Sequence, residues 1–348
     1  MQAPCPSSGL SGKIGAMDRA CERPAPLRAW PSGLLCVLLL LELGACGSHV
    51  PTTCGMGGVQ PRPDIGGEIL YMCYAPGSVH GGVFLLNASN GQVRRLTPDN
   101  AWNLDASWSP DGRRIVYQST RDGRSDVYVM DMSTGSVRRL SDSRGFNGYP
   151  TLSPDGRWIA YESSRDGIEA RPDPPGYYYR EIYLVREDGS DLHRLLTVHA
   201  VQFGAAWSPA SDRIAFASDR AGAFDLYTVA PDGSGLRQLT HHESSGGFAT
   251  YPRWSTDGSR IAFSSAATGS DHSSIYWIPA DGGEPHRVTN DPAAQWDGWP
   301  DWSPNSRWIV FTRNERGLQL FATSPDGGPP VQLTSDAGDK DQPRWRPA

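Results

Sequence analysis

One short phrase, a β-branched or aromatic strand entry ending in Trp-Ser-Pro-Asp-Gly or a variant, recurs six times along the 348 residues. The copies centre on Trp108-Ser109-Pro110-Asp111-Gly112, Leu152-Ser153-Pro154-Asp155-Gly156, Trp207-Ser208-Pro209, Trp254-Ser255-Thr256-Asp257-Gly258, Trp302-Ser303-Pro304 and Trp345-Arg346-Pro347. The steps between them are 44, 55, 47, 48 and 43 residues. A period of this size with several β runs per unit marks four-stranded blades around a central channel, and helical repeats fit it badly.

Within the copy from Ala106 to Leu140, a short strand ends at Trp108 and a second runs from Arg114 to Ser119. Two more follow, at Asp126–Met130 and Val137–Leu140. Between the first two, Pro presets φ, Asp bonds its own backbone and Gly accepts the positive φ that a tight hairpin needs. The second strand recurs as Trp158–Tyr161, Arg213–Phe216, Arg260–Phe263 and Trp308–Phe311. Apolar residues on both of its faces imply a sheet packed between neighbouring sheets. The repeated Trp is read as packing between blades, not as a ligand platform. The many Asp-Gly pairs are read as turns, since they lack the alternating carboxylates of a calcium loop.

Before Ala106 lies an incomplete unit of three strands, Glu68–Met72, Gly82–Leu86 and Val93–Thr97. After the last full unit, Gln342-Pro343-Arg344-Trp345 matches Tyr251-Pro252-Arg253-Trp254 and is left over. The predicted fold is therefore all-β: a six-bladed propeller of four-stranded antiparallel blades, the C-terminal strand closing blade one. Without that closure the ring would expose unpaired backbone groups and an apolar face.

These residues resemble the TolB-type propeller repeat, which runs Pro-x-Trp-Ser-Pro-Asp-Gly, Ile-Ala-Phe, Ser-x-Arg-x-Gly, Ile-Tyr and Leu-Thr. Arg121-Asp122-Gly123, Arg165-Asp166-Gly167 and Arg220-Ala221-Gly222 fill the Arg-x-Gly slot. Ile182-Tyr183, Leu226-Tyr227 and Ile275-Tyr276 fill the next, and Leu96-Thr97, Leu239-Thr240 and Leu333-Thr334 the last. The resemblance covers Glu68 to Ala348 and implies a periplasmic or surface propeller. The stretch from Cys46 to Glu68 is too short for the α/β domain of TolB proper, so the whole TolB role is not implied.

Upstream, the apolar run Leu34–Leu41 suits the core of a signal peptide and is too short to span a bilayer. Leu43-Gly44-Ala45-Cys46 resembles a bacterial lipobox, although Glu42, Asp18 and Glu22 are atypical there and plain secretory cleavage stays open. The expected organisation is a signal peptide over 1–45, with Met17 as an alternative start, a lipidated Cys46 and linker over 46–67, and the propeller over 68–348. Cys54 and Cys73 then remain in an oxidising compartment, either as a disulfide or with Cys73 as a buried free thiol.

Formal charge is −6, and −7 once residues 1–45 are set aside. The basic residues are almost all Arg and are dispersed through the repeats, which disfavours nucleic-acid binding. The membrane is expected to be touched only through the lipid, and the chain is expected to be a monomer. No cofactor is implied, and no Gly-x-Ser-x-Gly elbow or His-Glu-x-x-His motif is present.

Function is expected on the rim that carries the blade-to-blade crossings, since these are long and irregular while the Ser-Pro-Asp-Gly turns are stereotyped. The candidate partner-binding residues are Trp102, Phe146, Tyr149, Phe203, His241, His242, Phe248, Trp296, Trp299 and Lys340. Tyr177, Tyr178 and Tyr179 join them from an insertion at Ile168–Arg180 in blade three, which could equally fold onto its own blade. The partner expected is an envelope protein, a peptide or a glycan, bound without catalysis. His199, His241 and His242 lie on consecutive crossings and are weak candidates for a metal, as in a channel-mouth lyase or hydrolase. A sensor or assembly module of an envelope complex is a further alternative.

Overall fold

The structure is a computed structural model that describes residues 54, 61–62, 64–75, 78–166, 180–198, 200–242, 247–267, 270, 272–292 and 294–348. These residues form six four-stranded antiparallel sheets, each made of consecutive strands except the one that closes the ring. Blade one is β24 (Asp339–Trp345), β1 (Glu68–Tyr74), β2 (Gly82–Asn87) and β3 (Val93–Arg95). Blade two is β4 (Asn103–Trp108), β5 (Arg114–Ser119), β6 (Asp126–Asp131) and β7 (Val137–Arg139). Blade three is β8 (Asn147–Leu152), β9 (Trp158–Ser163), β10 (Glu181–Arg186) and β11 (His193–Arg194). Blade four is β12 (Gln202–Trp207), β13 (Ile214–Ser218), β14 (Asp225–Val229) and β15 (Arg237–Gln238). Blade five is β16 (Phe248–Trp254), β17 (Arg260–Ala266), β18 (Ser274–Pro279) and β19 (His286–Arg287). Blade six is β20 (Trp296–Trp302), β21 (Ile309–Asn314), β22 (Leu318–Thr323) and β23 (Val331–Gln332).

The innermost strands neighbour one another in the order β4, β8, β12, β16, β20, β24 and back to β4. The seam is the pairing of β24 with β1, where Ile69 faces Trp345, Leu70 faces Arg344 and Cys73 faces Lys340. The chain's last strand thus supplies the innermost strand of its first blade.

The core lies between blades. Val116, Val127 and Val129 of blade two pack on Leu152, Ile159 and Tyr161 of blade three, and equivalent clusters fill the other junctions. The repeat tryptophans sit at these junctions, 5–8% exposed. The indole N–H of Trp254 donates to Ala206 O of blade four at 3.1 Å, that of Trp302 to Arg253 O at 3.1 Å, and that of Trp108 to Arg344 O at 3.3 Å. Burying about 200 Å² of each indole at about 25 cal/mol per Å² stabilises a junction by roughly 5 kcal/mol before chain entropy.

The smaller repeat signals are structural too. In the Ser-Pro-Asp-Gly turn Ser109 donates to Asp111, accepts the Arg114 N–H, and Gly112 takes φ of 61°. Where the copy has no Gly, Ser211 and Ser306 adopt that left-handed conformation instead, at 60° and 54°. The closing hydroxyl accepts a backbone N–H of the third strand: Thr97 from Val83, Ser141 from Val127, Thr240 from Leu226, Thr289 from Ile275 and Thr334 from Leu320. Each Arg-x-Gly arginine lies over two rings of its own blade: Arg121 on Tyr117 and Tyr128, Arg165 on Tyr161 and Tyr183, Arg220 on Phe216 and Tyr227.

Cys54 and Cys73 are joined in a disulfide with Cα atoms 6.0 Å apart, which settles the choice the sequence leaves open. Cys46 and the signal region fall outside the described residues.

Candidate functional site

The innermost strands reach further than the sequence suggests, because each carries a β-bulge. The register slips between Leu104 and Ser107, Gly148 and Thr151, Phe203 and Ala206, Thr250 and Arg253, and Gly298 and Asp301, and it slips again along β1 opposite β24. At each slip one residue takes a positive φ: Asp105 53°, Tyr149 51°, Gly204 70°, Tyr251 54°, Trp299 50° and Gln342 51°. Bulky side chains rarely adopt this conformation, and it persists only where the surroundings impose it. The next residue is Pro in four blades, Pro150, Pro252, Pro300 and Pro343, and a residue without an N–H suits a point where the ladder is broken.

The bulged innermost strands take up several predicted rim residues. Phe203, Phe248, Trp296 and Trp299 are buried and belong to innermost strands, which corrects their placement on exposed crossings. Phe224, Phe203, Tyr251, Trp299 and Trp296 form a continuous arc across blades four to six, with successive ring centroids 5.1, 5.5, 5.5 and 4.7 Å apart. Tyr149 and Phe146 are half-buried on blade three, and the Arg180 guanidinium lies 5.4 and 5.3 Å from their rings. Trp102 is half-buried and rests on Tyr74 at 5.7 Å.

Charged groups complete the wall. Arg180 pairs with Glu162 at 3.1 Å, and Glu162 also accepts the Gly204 N–H at 2.9 Å. Burial pushes the Glu162 carboxyl up to about 7, with Arg180 opposing. Burial likewise pushes Asp105 up to about 7, against a hydrogen bond from Gln342 and the fields of Arg344, Arg180 and Arg253. Asp105 on blade two therefore feels Arg253 on blade five, so these side chains converge on the axis. Asp341 is raised well above the carboxylate range by burial and then by Asp105 and Asp339. Arg253 is lowered to about 9 by burial and by Arg344, with Asp301 4.0 Å away opposing. Asp301 in turn accepts the Trp345 N–H at 2.7 Å across the junction of blades six and one. The result is an aromatic arc packed into the core of blades four to six, whose Tyr251 member feels Arg180, Glu162 and Asp105, beside buried carboxyl groups on blades one and two. The half-buried Trp102, Phe146 and Tyr149 and the polar groups beside them are what this mouth can offer to a bound chain.

Other predicted residues are not part of this wall's chemistry. Lys340 is fully buried, donates to Gly338 O at 2.7 Å and pairs with Asp336, which corrects its reading as an exposed rim residue. His241 is exposed. The His242 ring bonds Asp225 at 2.8 Å and Ser265 at 3.3 Å, and its backbone N–H also goes to Asp225. Its ring is thus engaged in fixing a crossing. Among the described residues no three His, Cys, Asp or Glu side chains group as metal ligands. His199, Tyr177, Tyr178 and Tyr179 fall outside the described residues. A separate surface cavity of about 580 Å³, lined by Arg138, Arg157, Arg186, Glu187 and Asp188, lies on the opposite rim between blades two and three.

Sequence reasoning missed Asp105, Glu162, Arg253, Asp301, Asp341, Gln342 and Arg344. The signal for most of them was the Pro-x-Trp spacing itself, since a Pro inside a strand marks a bulge.

The sequence profile of the family described as the TolB beta propeller domain matches residues 62–171 and 178–348. An uncharacterised protein of Agrobacterium fabrum is 31% identical over 178 residues, 48% of this chain and 58% of its own length. A protein TolB homolog of Chlorobium luteolum is 30% identical over 158 residues, 45% of this chain and 33% of its own. The chain thus spans between a third and three fifths of the curated relatives it matches. The crystal structure of TolB from Acinetobacter baumannii superposes with a TM-score of 0.71 at 24% identity, covering 82% of this chain and 68% of that one. With six matching blades, the shared repeat and a profile match over nearly all the described residues, this chain belongs to the TolB beta propeller domain family.

Proposed function

We propose that the protein is a non-catalytic binding scaffold of the bacterial cell envelope, exported by its leader and held to a membrane by a lipid on Cys46. The channel mouth binds a peptide segment of an envelope protein. The observation that carries this reading is the convergence of charged and aromatic groups from different blades at the bulges, where Tyr251 and Tyr149 both feel Asp105, Glu162 and Arg180. Half-buried aromatic faces supply contact area at low entropic cost, and buried carboxyl groups supply hydrogen bonds. The Cys54–Cys73 disulfide supports an oxidising compartment. Propeller membership supports protein binding in general, and the TolB homolog supports an envelope location.

The test is site-specific photo-crosslinking in intact envelopes from Thr151 in the channel and from Ser234 on the opposite rim. A defined protein crosslinked from Thr151 alone, and lost when Tyr251 and Trp299 are changed to Ala in a protein that still melts cooperatively, is the expected result. Crosslinks that survive both substitutions would remove the channel from the binding surface. Turnover of an oligosaccharide or peptide by the purified protein would overturn the non-catalytic reading.

A further inference from the structure

The chain is pinned to blade one at both rims before it enters the propeller. At the foot, where β1 begins, Arg62 N donates to Ala88 O at 2.8 Å, Ala88 N to Gly67 O at 2.9 Å, and Ile65 is buried. β1 then climbs from Glu68 to Tyr74, about 20 Å at ~3.3 Å per residue, and ends on the rim of the channel mouth. Cys54 is fixed at that upper end. Its disulfide partner Cys73 pairs with Gly82 and with Lys340, and a Cβ placed on Gly338 would lie 2.9 Å from Cys73 Sγ and 3.2 Å from Cys54 Sγ.

The disulfide therefore decides which rim the leader end of the chain is tied to. Eight residues lead from Cys46 to Cys54, and a fully extended chain of that length spans about 28 Å. Without the disulfide the first backbone hydrogen bond to the propeller among the described residues is that of Arg62, on the opposite rim and sixteen residues from Cys46, a reach of about 56 Å. The shorter tether is comparable to the height of the blade and ends on the mouth side.

We propose that the Cys54–Cys73 disulfide turns the channel mouth toward the membrane that holds Cys46, so that the mouth receives a segment of an envelope protein presented at that bilayer surface. This rests on the lipid anchor at Cys46. Breaking the disulfide moves the tether to the other rim, doubles its reach and removes the orientation.

Two positions on blade one report on it. Val79 is 75% exposed beside the mouth, and Ser89 is exposed in the turn at the foot. A donor dye is placed at one or the other through a non-natural amino acid, and the lipid-bearing protein, verified by fatty-acid labelling, is reconstituted into vesicles with an acceptor lipid. Energy transfer from Val79 is expected to exceed that from Ser89 by about twofold or more. The difference should vanish in the Cys54→Ser, Cys73→Ser double variant. It should vanish too when about twenty Gly-Ser residues are inserted between Cys46 and Cys54, a change that leaves the propeller untouched. Equal or reversed transfer in labelled protein with the disulfide intact would overturn the orientation while leaving the anchor standing. Absence of the fatty-acid label would overturn the anchor, and the orientation with it.

Discussion

Asp105 offers a quantitative test of the channel wall. Its carboxyl is 6% exposed, sits at a left-handed bulge and has its pKa pushed up to about 7 by burial. A carboxyl whose folded pKa lies above its unfolded value of about 4 stabilises the native state fully below that value and loses the advantage as pH rises through the folded one. Each pH unit between the two values is worth about 1.4 kcal/mol, so the whole window from about pH 4 to about pH 7 carries roughly 4 kcal/mol. Glu162, also raised to about 7 by burial, adds a slope of the same sign. Wild-type stability should therefore fall between about pH 5 and about pH 8, and Asp105→Asn should remove about 3 kcal/mol of that fall. At about 2 °C per kcal/mol for a domain of this size, the variant should gain roughly 5 °C in Tm on the wild type across the interval. Calorimetry or intrinsic fluorescence melting at constant ionic strength reads it directly. Parallel wild-type and Asp105→Asn curves would mean that Asp105 is already ionised in the folded protein, and the burial assigned to its carboxyl would be refuted.

Three further outcomes follow from the same geometry. Truncation after Lys340 removes Trp345 and most of β24, so the product should aggregate or lose cooperative melting; a transition near the full-length temperature would refute closure by the last strand. Trp254→Phe deletes the bond to Ala206 O together with the pyrrole half of a buried indole, and should cost about 2 kcal/mol in chemical denaturation, whereas an unchanged midpoint would deny the indole any part in joining blades four and five. The Cys54→Ser, Cys73→Ser double variant opens a link across a sequence separation of 19 residues and should lose about 3 kcal/mol, with no loss arguing that the chain before β1 is already ordered in the unfolded state.

The architecture was legible because it repeats. Six copies of one turn, doubly apolar second strands and a leftover Gln342–Trp345 segment dictate blade count, strand order and closure, and each feature is a local consequence of Pro, Gly and apolar periodicity. The site was much less legible. The crossings were expected to hold Trp296, Trp299, Phe203 and Lys340 out to solvent, and the structure folds them into innermost strands because a bulge lengthens each of those strands beyond the run of regular alternation. Alternation ends at the bulge, and a reading based on period two ends there as well.

What distinguishes this channel from a generic propeller is the departure from recurrence at two registers. One residue before the repeat Trp or Leu stand Ser107, Thr151, Ala206, Arg253, Asp301 and Arg344; three before it stand Asp105, Tyr149, Gly204, Tyr251, Trp299 and Gln342. The backbone treats the six blades alike, with the same bulge and nearly the same φ. A scaffold alone would tolerate small or neutral residues at all of these positions, as it does at Ser107, Ala206 and Gly204. Placing charges and large aromatic rings there costs desolvation and, for the rings, a conformation that bulky residues avoid. The positions that carry that cost line the axis where Asp105 and Arg253 feel each other across the ring, and this is why the channel mouth, more than the exposed loops around it, is the place to look for a ligand.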